Sequence, residues 1–515
     1  MSLEPRGPIS SDILEELCRV SDGSIVIALN VGKKVASDFT AYSISRLRAQ
    51  RGQFGHLMDN AEFSAAALPM IHGSEYFRLR DEFTQHMTRQ SREAAVKSPH
   101  NLVTPDDYNN YFNIIYDAVA AELLSRGIDQ VVFFNIPHLG YDTVIFHIAR
   151  AFDIPVIILT QSILNNRVFS MTDPDHMGLF VKDYDAPVYP IAKHEKPNLF
   201  YMDGIEQGKV ANASVSWRAW LRLASYILRK RKFNLRYLFD ALKLASRVRK
   251  VYGILPNWRD PFAKFFNENE LAYFEHVCKL EEQPADLSGD FVYFPLQKQP
   301  EMTTSSLGDR FVDQAYAIEC LAAILPRGVR ILVKENPKQG AYMRGPLFFH
   351  RLKRIPAVTW VPSYTSTHEL TEKAKFVATV TGTVGWEAIR QGKPALVFGR
   401  AWYRKLLGVV EYKPDLTYDN IANLTWENSE LEQATGALFA ASHDCITDIN
   451  YAKAIPDFDA ENNKRRVAKL LYALITGESK TTFCEPETNT KTDEIDQQIE
   501  TRAALQDDSS GREAV

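Results

Sequence analysis

Short apolar runs that stop abruptly in polar, Gly- or Pro-containing residues recur along this chain. They are densest between residues 291 and 399, in FVYFPLQKQPEMTTSS (291–306), VRILVKENPKQG (329–340) and FVATVTGTVGWEAIRQGKPALVFG (376–399). Apolar residues in unbroken runs, rather than in alternation, predict parallel strands buried on both faces. Strands are expected at 291–295, 329–333, 357–361, 376–380 and 395–398, with helices such as 309–325 and 384–391 between them. Nearer the N-terminus, residues 24–30 read as a strand and 36–50 as a helix. Residues 106–125 carry a helical period with Ile114, Ile115, Val119, Leu123 and Leu124 on one side. A strand at 130–136, the loop Pro137-His138-Leu139-Gly140-Tyr141-Asp142, a helix at 143–152 and a strand at 155–161 follow. That strand–helix–strand order predicts a right-handed crossover and a parallel pair.

The expected fold class is therefore α/β, with two Rossmann-like domains. A chain of 515 residues is too long for one compact core, which supports the division. Domain limits of 1–285 and 286–476 are expected, with a basic helical insertion at 215–250 and a disordered acidic tail at 477–515. The insertion carries eleven Lys/Arg and one Asp, and Trp217, Trp220, Leu221, Leu228, Leu235, Phe239 and Leu242 give it an apolar face. Such a helix suits an anionic membrane surface, and equally suits a linker that packs its apolar face and solvates its charges. Beyond residue 477 there are ten acidic and four basic residues and few aromatics, a composition too polar to fold.

Net charge is −4 and no nucleic-acid motif accompanies the basic helix, so no nucleic-acid partner is expected. Five cysteines at Cys18, Cys278, Cys320, Cys445 and Cys484 lack metal or redox spacing, which fits a reducing compartment. The N-terminal residues lack the apolar core of a signal peptide, and no run of eighteen apolar residues exists. The expectation is a cytoplasmic protein, peripheral at most on the inner face of a membrane.

In open α/β sheets ligands collect at the carboxyl ends of strands, so the three loops after 295, 333 and 380 are expected to share one site. The first loop holds Gln297, Gln299, Glu301, Thr303 and Thr304, whose side chains offer donors and acceptors to hydroxyls. Glu301 there is either a base or a helix cap. The second holds Lys334, Asn336 and Pro337, with positive charge for a phosphate or, alternatively, a Lys334–Glu335 surface pair. The third is Thr381-Gly382-Thr383-Val384-Gly385-Trp386-Glu387, a small-residue turn opening a helix, where an anion is favoured. It is not a Walker A loop, since no Gly-Lys-Ser/Thr follows. Glu387 lies one helical turn beyond Thr383 and is expected either to face the site or to cap that turn.

Together VYFPLQKQPEMTT (292–304), ILVKENP (331–337), TVTGTVGWEA (379–388) and GKPALVFG (392–399) resemble the bacterial capsule polysaccharide biosynthesis glycosyltransferases. That broad family includes transferases of 3-deoxy-manno-octulosonic acid (Kdo). The resemblance is firm over 291–399 and looser over 133–161. It implies a GT-B enzyme whose two domains face each other across a cleft, with a nucleotide sugar as donor, CMP-Kdo foremost. A glycan or glycolipid is then the acceptor, and no cofactor or metal is needed. It further implies that Lys334, Asn336 and the turn Thr381–Gly385 hold the nucleotide and that Gln299 and Glu301 lie near the sugar. His138 and Asp142 would face them, His138 as a base for the acceptor hydroxyl or as a structural anchor of its loop. Where the family shows Lys-Glu-His-Pro this chain has Asn336, which can hydrogen-bond but cannot carry a charge. In-class rivals are a polymer glycerophosphotransferase or a transferase using a nucleoside-diphosphate sugar. A sugar-nucleotide 2-epimerase and a non-catalytic export or assembly component are the alternatives outside the class.

Overall fold

The computed structural model describes residues 9–32, 62–70, 73–94, 104–192, 285–336 and 344–485, a few single positions apart. It also describes the two short strands at 2–3 and 43–44 and four isolated positions between 221 and 246. Of the expected helix at 36–50 only Ser43–Ile44 are described, and they form a strand paired with Asn30–Val31 instead of a helical turn. Pro337, almost all of the basic segment 215–250 and the tail from 486 onward lie outside the described residues.

Two sheets organise the chain. The strands are β1 (Ser2–Leu3), β2 (Asn30–Val31), β3 (Ser43–Ile44), β4 (Val131–Phe133), β5 (Val156–Gln161), β6 (Arg167–Met171), β7 (Phe291–Pro295), β8 (Arg330–Lys334), β9 (Val358–Val361), β10 (Val377–Thr379), β11 (Ala395–Val397), β12 (Val409–Glu411) and β13 (His443–Asp444). The first sheet runs β13-β6-β5-β4-β1-β2-β3 and the second β12-β11-β10-β7-β8-β9. All pairings in the second sheet are parallel, in register from Phe291↔Arg330 to Pro295↔Lys334 between β7 and β8. The first is parallel except at β5–β6 and β6–β13. The two Rossmann-like units expected from the apolar runs are thus present, and β4 and β5 form the anticipated parallel pair.

The elements follow from local chemistry. Helix Pro105–Ser125 begins with proline in its first turn, after Thr104. There the Thr104 hydroxyl accepts from the Asp107 N–H at 3.2 Å, and the Asp107 carboxylate accepts from the Thr104 N–H at 2.7 Å, a reciprocal cap. Its buried face runs through Tyr111, Phe112, Ile115, Tyr116, Val119 and Leu123. Ile114 and Leu124, expected on that face, are exposed; the contact with helix Ser74–Ala94 is made by Tyr111 and Phe112, which pack on Phe83. The expected strand at 24–30 narrows to Asn30–Val31, and Val26 points to solvent.

After the second sheet the chain returns to the first. β13 pairs antiparallel with β6, and helix Ala460–Thr476 packs on helix Ile9–Val20 in a cluster with Leu14, Leu17, Val467 and Leu471. The segment that reads as the end of the second domain therefore completes the first domain's sheet. The stretch 477–485, expected to be disordered, is also fixed there. Phe483 is fully buried, its N–H donates to the Ser170 carbonyl at 2.9 Å, and the Cys484 N–H donates to Leu179 at 3.0 Å. Composition missed this because one buried aromatic and two backbone hydrogen bonds suffice to hold a polar segment.

Candidate functional site

Because β10, β7 and β8 are adjacent and parallel, their carboxyl ends lie side by side. The three expected loops therefore converge, and their polar side chains hold each other. Gln297 is the tie. Its Oε1 accepts from the Thr381 N–H at 2.8 Å and its Nε2 donates to the Thr381 hydroxyl at 3.3 Å. The Thr381 hydroxyl donates in turn to the Thr303 carbonyl at 2.6 Å. Gln314, fully buried at the start of helix Gln314–Ile324, accepts from the Gln297 N–H at 2.8 Å and donates to the Gln297 carbonyl at 2.9 Å. Gln314 also donates to Gln299 Oε1 at 3.0 Å, and the Gln299 amide donates to the Val312 carbonyl. Gln297 and Gln299 thus brace the loop, a duty that a list of hydrogen-bonding residues does not reveal.

Glu301 begins the one-turn helix Met302–Ser305. Its N–H donates to the Thr304 hydroxyl at 3.2 Å, and its carboxylate is half-exposed and 3.2 Å from Lys298 Nζ. Thr304 is fully buried and bonds back to the Lys298 carbonyl.

In the second loop Lys334 turns away from Glu335. Its Nζ donates to the Thr365 carbonyl at 2.7 Å and to the Thr367 hydroxyl at 2.9 Å. Glu335 is buried, 3.4 Å from the equally buried Arg344, and accepts from the Asn336 N–H at 2.7 Å. Burial pushes the Glu335 carboxyl above the usual carboxylate range, with Arg344 and the Asn336 N–H opposing. Burial likewise lowers Arg344, with Glu335 opposing. The Lys334–Glu335 surface pair considered from sequence is replaced by a buried Glu335–Arg344 pair.

The third loop turns at Gly382 (φ −68°, ψ 148°) into helix Thr383–Arg390. The Gly382 N–H donates to the Thr379 hydroxyl at 3.1 Å, and the Gly385 N–H to the Gly382 carbonyl at 3.1 Å. The first-turn N–H groups at Thr383 and Val384 have no acceptor within the helix by its geometry. Gly385 packs against the buried ring of Tyr403, whose hydroxyl donates to the Gly382 carbonyl. A Cβ on Gly385 would lie 2.8 Å from Tyr403 Cζ, which is why glycine stands there. Glu387 is half-buried, and its negative charge raises the buried phenols of Tyr293 and Tyr403, chiefly raised by burial itself.

The facing loop belongs to the first domain. Gly140, at φ 88°, precedes helix Tyr141–Ala151. The Asp142 carboxylate accepts from the N–H groups of His138 (3.1 Å), Leu139 (2.7 Å) and Thr143 (2.8 Å). Asp142 is thus the clamp of the His138 loop. His138 is buried and its Nδ1 lies 2.7 Å from the Ile136 carbonyl. A carbonyl only accepts, so Nδ1 carries a proton in this contact. The Ser306 hydroxyl donates to the Pro137 carbonyl at 2.6 Å, which joins the first loop of the second domain to the His138 loop. Gln314, Arg344, Ser306 and Tyr403 had no sequence signal; each is an ordinary residue made important by what it reaches.

Residues 277–452 match the model of a family described as capsule polysaccharide biosynthesis protein. The capsule-synthesis match spans β7 to β13 and so contains all three loops. Among curated proteins none matches the sequence. Among solved structures, Thermosulfurimonas dismutans KpsC, beta Kdo 2,7 transferase, aligns at 12% identity over 78% of this chain and 97% of its own, with a TM-score of 0.30. The beta Kdo 2,4 transferase of the same KpsC aligns at 14% identity over 60% and 79%, with a TM-score of 0.27. Methanocaldococcus jannaschii UDP-GlcNAc 2-epimerase in complex with UDP-GlcNAc and UDP aligns at 11% identity over 92% and 98%, with a TM-score of 0.23. Among the described residues no helix is long and apolar enough to cross a membrane, and no group of three His, Cys, Asp or Glu is arranged to hold a metal ion.

Proposed function

We propose that this chain is a metal-independent glycosyltransferase of bacterial capsule or surface polysaccharide assembly. It takes a sugar from a nucleotide donor, CMP-Kdo foremost, and passes it to a glycan or glycolipid acceptor. The observation that carries this reading is the convergence of three strand-end loops inside the segment that matches the capsule-synthesis family. In this reading the donor phosphate sits on the helix start at Thr383 and Val384, where the helix dipole and N–H groups favour an anion. Asn336 and the end of β8 at Lys334 line the nucleotide, while Glu301, Thr303 and Glu387 flank the sugar. His138 Nε2 accepts the proton of the acceptor hydroxyl as the new glycosidic bond forms and the nucleotide leaves. Asp142 positions His138 through the three backbone N–H groups it binds. Catalysis then rests on positioning and on stabilising the leaving phosphate. The basic segment 215–250 brings the enzyme to the anionic inner face of the membrane that carries its acceptor.

Calorimetric titration with CMP, CDP, UDP and GDP tests the donor class. Tight binding of one nucleotide is expected, and Thr383→Trp is expected to abolish it with the thermal midpoint retained. Binding of none of the four would sink the reading. Product formed from a sugar nucleotide without acceptor would instead assign a 2-epimerase.

A further inference from the structure

The three loops do not touch as equals. Between the first and second lies a side chain contributed from outside both, and it joins them. Arg344 precedes helix Pro346–Lys353, and its side chain is 4% exposed. Its Nε is 3.4 Å from Glu335, the residue directly after β8. One of its terminal nitrogens donates to the Gln297 carbonyl, just after β7. Its guanidinium carbon lies 5.1 Å from the centre of the Phe348 ring, a cation–π contact. Glu335 and Gln297 each lead onward. Glu335 accepts the Asn336 N–H at 2.7 Å, so the pair sets the peptide that presents Asn336. Gln297 grips both the N–H and the hydroxyl of Thr381, so the pair also sets the turn that opens helix Thr383–Arg390.

We infer that Arg344 is a positioning residue: its buried guanidinium couples the Asn336 peptide to the Gln297 loop and, through Gln297, to the Thr381–Thr383 turn, so that the loops assigned to the donor nucleotide are held as one unit. The assignment of those loops to a nucleotide rests on the proposed function, whereas the mechanical coupling does not. Arginine is the residue type that serves here. Its guanidinium reaches two groups at once, donating to the Gln297 carbonyl while its charge stands beside the Glu335 carboxylate, and the shorter-headed ammonium of a lysine does not span the same two positions. Burial sharpens the effect, because a loop that moved away from Arg344 would leave a charged group in a dry environment. Disturbing the guanidinium therefore loosens Thr381 through the backbone and side chain of Gln297, which lie between them. Gln314, bonded to both the N–H and the carbonyl of Gln297, keeps that loop from swinging as a free hinge.

The test uses the full chain and two variants that keep the buried volume, Arg344→Lys and Glu335→Gln, so that failure of one to fold leaves the other. Hydrogen–deuterium exchange without any nucleotide reads the coupling. The amides of residues 379–386 are expected to exchange about tenfold faster in either variant, with helix Ala460–Thr476 unchanged as the internal reference. Titration then reads function, using whichever of CMP, CDP, UDP and GDP the parent protein binds. Its affinity is expected to fall about tenfold in Arg344→Lys with little change in thermal midpoint, as a positioning role requires. Unchanged exchange at 379–386 in both variants would overturn the coupling, and faster exchange with undiminished affinity would overturn the positioning role. If the parent binds none of the four nucleotides, the proposed function fails, and the exchange result decides the coupling on its own.

Discussion

Replacing Gly385 by alanine is the most direct probe of how the third loop is built. An added Cβ would sit 2.8 Å from Tyr403 Cζ and 2.9 Å from Cε2, with the hydroxyl nearer still. Carbon contacts are most favourable near 3.5–4.0 Å, so the ring or the helix start must move by roughly 0.7–1.2 Å. Neither moves freely. Tyr403 is fully buried beside Trp402, and its hydroxyl donates to the Gly382 carbonyl across the same turn. Overpacking of this kind costs about 1–3 kcal/mol, and losing the buried hydroxyl–carbonyl bond adds about 1–3 kcal/mol. Gly385→Ala is therefore expected to destabilise the second domain by about 2–6 kcal/mol, read as a lower thermal midpoint of the transition followed by near-ultraviolet circular dichroism. At about 2–4 °C per kcal/mol for a domain of this size, the fall should be at least roughly 4 °C. Tyr403→Phe removes the atom closest to the new methyl group. Alone it leaves the Gly382 carbonyl without its donor and costs about 1–3 kcal/mol. In the double variant the clash is eased and that hydrogen bond is already absent, so the two costs should sum to less than their separate values by about 1 kcal/mol or more. Strict additivity, or a Gly385→Ala effect within about 0.5 kcal/mol of zero, would refute the account of the turn.

Acid should weaken the return of the chain to the first sheet. His443 on β13 sits 2.7 Å from the Ser170 hydroxyl, and burial, helped by the nearby Arg167 charge, lowers its pKa from 6.5 to about 4. The unfolded chain then binds more protons than the folded one between those values, so stability rises with pH across that window and is lost as pH falls through it. The contribution is on the order of 3 kcal/mol, and His443→Gln should flatten the pH dependence of the thermal midpoint between pH 4 and 7; an unchanged slope would remove His443 as its source. Phe483→Ala should cost about 3–5 kcal/mol in denaturant unfolding because Phe483 is fully buried, whereas cutting the chain after residue 485 should leave the midpoint unchanged. Lys334→Met should lower the thermal midpoint through release of Thr365 and Thr367, a loss of about 1–3 kcal/mol, and a midpoint equal to the parent's would contradict the tether.

Much of the second domain was legible because an unbroken apolar run means a strand covered on both faces, whatever covers it. Phe291–Pro295, Arg330–Lys334 and Val377–Thr379 needed no knowledge of their neighbours. Adjacency of β10, β7 and β8 was not legible, since pairing order depends on crossovers and not on local pattern. The return of residues 443–485 was hidden for a related reason. β13 is two residues long and Phe483 stands in a polar segment, so nothing local marks them as part of a sheet that begins more than four hundred residues earlier. Gln314 and Arg344 look like any polar residues near a helix start, and only the chain path turns them inward.

The site residues divide along a physical line. A loop at a buried strand end carries backbone N–H and carbonyl groups that water does not reach, and each needs a partner. The polar side chains nearest the strand ends meet that need first. Gln297 serves the Thr381 N–H, Asp142 serves three N–H groups of the His138 loop, and Lys334 serves the Thr365 carbonyl. From sequence alone, such residues are indistinguishable from ligand contacts, because the same donors and acceptors suit both duties. Side chains committed to the backbone set the shape of the site but cannot also follow a substrate. Under the proposed function, direct recognition of the donor phosphate therefore falls on the first N–H groups of helix Thr383–Arg390, which the helix itself does not use. A neutral amide at 336, rather than an imidazole, then removes one titrating group from the nucleotide side.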